Sequence, residues 1–142
     1  MCGNMQRFTN FLDSGGVQYA IVGNEQNPAV SIVQRLQKTG VVMEFTVIFV
    51  NESIVEMVAF GIASSFPEYA RDPVLRELNK LNSSMRLVKF ALNENNEICV
   101  IMTFINFSEE NIDPKQIFLM LRILLEQIEK IQPDILKMRH NY

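Results

Sequence analysis

Short polar turns join neighbouring strand-like segments, and these links constrain the fold more than any other feature of the sequence. Three runs, VSIVQRLQ, VVMEFTVIFV and IVEMVAFGI, are separated only by Lys38–Gly40 and Asn51–Ser53. A second group, MRLVKFAL and EICVIMTFI, is joined by the polar residues NENN. Links this short connect antiparallel neighbours, because a parallel pair needs a crossover of about a dozen residues. The sequence therefore predicts hairpins in an antiparallel sheet.

Amphipathic segments with helix-start signals lie around these strands. Asp72–Pro73 and Asp113–Pro114 each place an N-cap acceptor before a residue suited to the first helical turn. The last helix is expected to end or kink near Ile131, because Pro133 cannot continue it without freeing the carbonyl of Glu129. A further strand, VQYAIV, follows an N-terminal helix whose apolar positions are Met5, Phe8, Phe11 and Leu12.

The predicted architecture is α+β, with helices packed on an antiparallel sheet in the order α-β-β-β-β-α-β-β-α. At 142 residues the chain has an ordinary length for one hydrophobic core, and no linker or repeat divides it. One domain spanning residues 1–142 is therefore expected.

The strands are apolar on both faces, whereas an antiparallel sheet with one solvated face alternates apolar and polar residues. In EICVIMTFI, one face carries Ile98, Val100, Met102 and Phe104. The other face carries Cys99, Ile101, Thr103 and Ile105. We therefore expect something to cover much of the second face.

The last helix is also apolar nearly all round. Its core-facing stripe consists of Ile117, Phe118, Leu121, Leu124, Leu125, Ile128, Ile131 and Ile135. Leu119, Met120 and Ile123 fall outside that stripe, so only Arg122 is polar between Ile117 and Leu125. We predict that Leu119, Met120 and Ile123 bind a partner.

Two arrangements would cover the additional apolar surface. In the first, the three helices divide between the two faces of the sheet and close a monomeric core. In the second, a second copy of the chain or a client protein covers part of the surface. The second is favoured, because large contiguous apolar patches are unusual on a soluble monomer and a symmetric homodimer is the commonest closed assembly.

Composition excludes several partners and compartments. A net charge of −3 offers no basic surface for nucleic acid. Apolar runs such as IFLML and CVIM are far shorter than the about 20 residues of a membrane-spanning helix. The chain begins with no secretory signal pattern, and Cys2 and Cys99 form no disulfide framework. We expect a cytoplasmic protein with no nucleic-acid partner and no membrane insertion, in which Cys99 is a small core residue.

No group of residues has the spacing of a reactive centre. The single histidine, His140, lies two residues from the C-terminus, where chains usually fray, although a catalytic base must be held within hydrogen-bond reach of its target. There is no CxxC, HExxH or calcium-loop pattern, and no glycine-rich phosphate loop. The prediction is a protein that is not an enzyme, with no catalytic residue, no cofactor and no metal.

Two asparagines lie at the junction between the second helix and the following strand. Asn79 and Asn82 are three residues apart and so share a helical face. Asn82 is expected to stop the helix in a left-handed conformation, and the Asn79 amide is expected to bind backbone at the start of the next strand. Both predicted roles are structural.

The same region carries a family resemblance. The series SSFPEYARD, LRELNKLN, MRLVKFALNENNEICVIMTF and QPDILKM resembles the YbjN-like family over residues 66–138. The resemblance places family motif positions on Leu78, Asn79, Leu81, Asn82, Lys89 and Phe90. Family members are described as bacterial sensory transduction regulators, with a fold similar to that of type III secretion chaperones.

The resemblance implies an interaction module, often homodimeric, and brings no enzymatic site with it. We therefore expect a chaperone-like or regulatory adaptor, a homodimer that binds a segment of an unknown client protein. The alternative is a sensory domain that binds a small molecule in a pocket between the helices and the sheet.

Overall fold

A computed structural model describes residues 3–142; Cys2 lies outside the described residues. The helices are α1 (Gly3–Ser14), α2 (Arg71–Ser84) and α3 (Pro114–Asn141), and a short 3₁₀ helix (Glu68–Ala70) precedes α2. The strands are β1 (Ala20–Gly23), β2 (Pro28–Arg35), β3 (Val42–Phe49), β4 (Ile54–Phe60), β5 (Lys89–Leu92) and β6 (Ile98–Ile105). The predicted element order and the α+β class are confirmed.

All strands join one antiparallel sheet in the spatial order β1-β2-β3-β4-β6-β5. The predicted hairpins join β2, β3 and β4, and β1 extends them to a four-stranded meander; β6 pairs with β4, and β5 closes the far edge. One register row crosses the whole sheet and consists of Ala20, Ser31, Thr46, Val58, Ile101 and Lys89. Since side chains alternate between the faces of a strand, this row fixes which residues share a face.

The hydrophobic core lies between one face of the sheet and all three helices. It contains Phe8 and Leu12 of α1, Val74 and Leu78 of α2, and the α3 stripe from Ile117 to Met138. The sheet contributes Val30, Met43, Phe45, Val47, Met57, Val100 and Met102, which all lie on the same face. The helices therefore do not divide between the two faces, so the first of the two arrangements, in which they would cover both faces, is wrong.

One of the two predicted helix starts differs from expectation, and the other is as predicted. Helix α2 begins at Arg71 with Ala70 as its N-cap residue, so Asp72 is in the first turn and is not the cap. Pro73 is tolerated there, because the first N–H groups of a helix have no intrahelical partner. In α3, Asp113 is the N-cap residue as predicted, and its Oδ1 accepts a hydrogen bond from Lys115 N at 2.9 Å.

Helix α3 does not end near Ile131 but continues through Pro133 to Asn141. Pro133 is exposed, while Gln132, Ile135 and Met138 around it are buried. Burial of these side chains offsets the hydrogen bond that the proline removes, since tertiary packing supplies most helical stability in proteins.

The β5–β6 hairpin is held at its turn by buried polar contacts. Asn96 adopts a φ of 59°, which asparagine tolerates better than most residues. Its Oδ1 accepts from Arg71 at 2.7 Å, and its amide donates to Glu68 at 2.7 Å. The turn is therefore tied to the start of α2.

Candidate functional site

Asn82 is bound to the first residues of β5. Its Oδ1 accepts from the Phe90 N–H at 2.7 Å, and its Nδ2 donates to the Phe90 carbonyl at 2.9 Å. The Asn82 amide offers one acceptor and one donor, as the backbone C=O and N–H of a neighbouring strand would. The Asn82 amide thus completes the outer edge of β5, while the Phe90 ring is buried in the core.

Lys89 closes the same corner from the other side. Its Nζ donates to the Asn82 carbonyl at 3.0 Å and to the Met85 carbonyl at 2.8 Å. The last carbonyls of a helix lack intrahelical donors, and a cation there also interacts favourably with the helix dipole. Lys89 therefore binds the C-terminal end of α2.

The two asparagines do not have the roles expected of them. Asn82 lies inside α2, which ends at Ser84, and does not adopt a left-handed conformation; among the described non-glycine residues only Asn96 has positive φ. Asn82, not Asn79, binds the backbone of the next strand. Asn79 lies one turn earlier and is exposed, and its side chain has no hydrogen bond within residues 3–142. The structure brings Asn82, Lys89 and Phe90 together and leaves Asn79 outside that group.

The three α3 residues predicted to bind a partner have different environments. Leu119 is 53% exposed, so its side chain projects into solvent. Met120 and Ile123 are half-buried and pack against the core. Of the three, only Leu119 offers a large apolar side chain to a partner.

The sheet face opposite the helices is the larger unoccupied apolar surface, and we call it the helix-free face. Within the described residues no helix packs on it. Its apolar residues are Val33, Val42, Ile48, Ile54, Val58, Phe60, Cys99, Ile101 and Ile105. Val33 is 65% exposed and Val42 is 47% exposed. This surface is the second apolar face that the strand pattern indicated.

Four charged side chains of the described strands lie on the helix-free face, Arg35, Glu44, Glu56 and Lys89. Glu44 accepts a hydrogen bond from the Ser31 hydroxyl at 2.9 Å, and Glu56 lies opposite Thr103 on β6. Lys89 ends the register row at the edge, where its amine is bound to the end of α2. The centre of the face, at Thr46, Val58 and Ile101, carries no charge.

A small groove opens between α3 and β2, on the side of the sheet that carries the helices. Its lining residues are Ile32, Gln34, Phe45, Phe118, Leu121, Arg122 and Leu125, and it encloses about 90 Å³. We call it the α3–β2 groove. It lies where a pocket between helices and sheet was expected, but typical small-molecule pockets enclose about 300–1,000 Å³.

A larger depression of about 410 Å³ lies between α2 and the C-terminal part of α3. Its lining is largely charged or polar and includes Glu77, Lys80, Asp134, Lys137 and Asn141. Since ligand pockets are mostly apolar with a few placed polar groups, this surface is a weaker candidate than the groove.

The groups that could react are separated from one another in the described residues. His140 is exposed in the last turn of α3. Cys99 is 7% exposed, so it is buried as predicted, although it lies on the helix-free face; burial raises the pKa of its thiol. Residues 3–142 contain no group of three or more His, Cys, Asp or Glu side chains placed to hold a metal ion. No helix within that range is long and apolar enough to cross a membrane.

The strand sequences lack the alternation of apolar and polar residues, which indicated a second apolar face of the sheet. The predicted partner site was nevertheless placed on α3. The reason is that a two-sided apolar strand pattern does not say which face the helices cover. In the sequence, Arg122 is only the one polar residue in an apolar stretch of α3. Its position beside a groove could not be predicted, because the groove depends on how β2 packs against α3.

A six-stranded antiparallel sheet with three helices on one face and an apolar opposite face defines a two-layer α+β domain. The chain belongs to the YbjN family, whose model matches residues 5–137 and is described as "Putative bacterial sensory transduction regulator". The family resemblance seen in the sequence is thereby confirmed, and the chain is a member of a regulator family.

A solved structure supports the same fold. The chain is similar to the crystal structure of YbjN from E. coli, described as a "putative transcription regulator", with a TM-score of 0.62 and 16% sequence identity. The similarity covers 90% of this chain and 87% of the other. At this identity the likeness concerns the fold alone. No curated protein matches the chain significantly.

Proposed function

We propose that this protein is a non-enzymatic interaction module, a chaperone-like or regulatory adaptor, that forms a homodimer and binds a segment of a client protein. The observation that carries the proposal is the helix-free face, on which Val33 and Val42 are exposed at one end and Ile105 at the other. Apolar surface exposed on a soluble protein can mark an interaction site. The regulatory description of the family agrees with a protein that acts through its contacts.

The size of the helix-free face suits a second copy of the chain. The strands are spaced about 4.8 Å apart; β2, β3 and β6 are about 26 Å long and β1 and β5 about half that, which gives a face of roughly 600 Å². Each partner of a standard interface buries about 800 Å². Two such faces can pack about 10 Å apart, as the sheets of a sandwich do, around a two-fold axis.

Exposed Leu119 on α3 supports a second location for the dimer interface. Leu119, Met120 and Ile123 were the partner-binding residues predicted from the sequence. Leu119→Lys tests that surface best, because Met120 and Ile123 also pack against the core and their substitution would disturb folding.

The experiment compares two charged variants with the unmodified protein by size-exclusion chromatography with light scattering. Val33→Lys/Thr103→Lys places two cations on the helix-free face at exposed positions, so the fold should tolerate them. We expect this variant to elute as a monomer with an unchanged circular dichroism spectrum. Leu119→Lys should remain a dimer. The opposite pattern would assign the interface to α3 and refute the role given to the sheet.

The small-molecule alternative has less support in the geometry. The α3–β2 groove encloses about 90 Å³, which is too little for a ligand of ordinary size; a depression of about 400 Å³ between α1 and β1 is large enough, but it is lined partly by exposed polar residues of the β1–β2 turn such as Asn24 and Glu25. The likeness to type III secretion chaperones stays a prediction, as does a cytoplasmic location.

A further inference from the structure

The α3–β2 groove is an apolar surface that the proposed dimer interface does not cover. Its walls are apolar, from Ile32 and Phe45 on the sheet to Phe118 and Leu125 on α3, and Arg122 lies at its rim. The core face of the sheet lines it, so it is on the opposite side from the helix-free face. Both surfaces are therefore accessible in a dimer joined through the helix-free face.

We propose that the α3–β2 groove is the client site, and that it holds one apolar side chain of a partner segment whose neighbouring acidic side chains pair with Lys115 and Arg122. This inference rests on the proposed function, because it specifies the chemistry of the client. The segment is recognised by an aliphatic or thioether side chain between Asp or Glu residues.

The volume of the groove sets the size of the apolar side chain. A cavity of about 150 Å³ lined by Leu, Ile and Phe is large enough for a benzene molecule. The α3–β2 groove encloses about 90 Å³, so it suits the end of a Leu, Met or Val side chain and not an aromatic ring. The lining offers mainly apolar contacts, since Gln34 and Arg122 are its only two polar residues.

Arg122 lines the groove, and a second cation on α3, Lys115, lies outside the lining on the same side of the helix. Lys115 and Arg122 are seven residues apart, which places them about 10 Å apart along one side of the helix, with Phe118 between them. Both side chains are exposed, and neither has a carboxylate within ion-pair distance in residues 3–142. Glu126, one turn beyond Arg122, forms no ion pair with it.

This local positive charge lies on a protein of net charge −3. A segment that carries acidic residues on both sides of its apolar anchor would complement Lys115 and Arg122 together. Exposed ion pairs contribute little affinity individually, so the charges select the partner and orient it while the apolar side chain supplies the contact.

The test is a titration of methyl-labelled protein with the capped peptide Glu-Ser-Leu-Ser-Glu, followed by NMR at the methyl groups of Ile32, Leu121 and Leu125. We expect saturable shifts confined to the groove. The peptide with Lys in place of both Glu residues should bind at least about fivefold more weakly, because both ion pairs become repulsive. The peptide with Ser in place of Leu should produce no saturable shift.

Two protein variants make the charge argument specific. Arg122→Glu should weaken binding of the acidic peptide and strengthen binding of the lysine peptide. Arg76→Glu is the matched control, since Arg76 is an exposed arginine on α2 with no hydrogen bond in the described residues, and it should leave both affinities unchanged. Equal affinities for the two peptides, shifts outside the groove, or an absence of saturable binding would overturn the proposal.

The same titration in Val33→Lys/Thr103→Lys separates this inference from the dimer proposal. The α3–β2 groove should bind the acidic peptide in the monomeric variant as in the dimer. A dimer without peptide binding would refute the groove alone. Peptide binding by a protein that is always monomeric would refute the dimer and leave the groove intact.

Discussion

Replacement of Asn82 by Ala should destabilise the fold, because the Asn82 amide makes the hydrogen bonds that a neighbouring strand would otherwise make to β5. The Asn82 amide makes two hydrogen bonds to Phe90, at 2.7 and 2.9 Å. Each buried group left without its partner costs about 1–3 kcal/mol, and the lower half of that range applies to a half-buried edge. We therefore expect Asn82→Ala to lower the free energy of unfolding by about 2–4 kcal/mol.

Asn79→Ala is the matched control for this prediction. Both asparagines lie in α2, so both substitutions bring a similar gain in helix propensity of about 0.5 kcal/mol. Asn79 is exposed, and its substitution should change the free energy of unfolding by no more than about 0.5 kcal/mol. The difference between the two variants then isolates the contacts with Phe90.

Urea denaturation monitored by circular dichroism, at one protein concentration, measures both variants. The midpoint should fall for Asn82→Ala while the denaturant slope stays constant. Asn82→Asp, which keeps the acceptor and loses the donor, should lie between Asn82→Ala and the unmodified protein. Equal stabilities of Asn82→Ala and Asn79→Ala would refute the idea that the amide completes the edge of β5.

Four further predictions concern three residues, Cys99, Pro133 and Gly23. Because burial raises the pKa of the Cys99 thiol, iodoacetamide should alkylate it at least about tenfold more slowly in the folded protein than in urea. The buried Cys99 thiol should add to the free energy of unfolding at pH values below its ordinary pKa of 9.0. This contribution should decline as the pH rises above 9.0, because the thiol of the unfolded chain ionises before that of the folded protein. Urea titrations of Cys99→Ala should not show this decline. Pro133→Ala should raise the free energy of unfolding by about 1–3 kcal/mol, because it restores a donor to the carbonyl of Glu129; an unchanged midpoint would contradict this. Gly23→Ala should lower the melting temperature, since a Cβ at its φ of 80° would lie 2.2 Å from the Asn27 carbonyl oxygen; a melting temperature equal to that of the unmodified protein would contradict this.

The element order could be predicted because it depends on local signals. Short polar links such as NENN specify hairpins, and Asp113 caps α3 as its sequence context indicates. The end of α3 could not be predicted in this way. Pro133 opposes a helix locally, but buried Ile135 and Met138 hold the last turns against the core.

The candidate site was predictable only in part. The strand sequences showed that the sheet has two apolar faces, yet the position of three helices on one face depends on packing between distant segments. The same limit applies to the asparagine pair. Asn79 and Asn82 look equivalent on a helix, and only the approach of β5 decides that Asn82 meets Phe90.

The molar mass of the unmodified protein in solution, measured by light scattering across a dilution series, tests the proposed homodimer directly. One chain has a mass of 16.3 kDa. A dimer joined through the helix-free face predicts a mass near twice that value which persists on dilution to micromolar concentration. A mass of 16.3 kDa at every concentration would show that the helix-free face stays open to solvent, and would contradict the central claim.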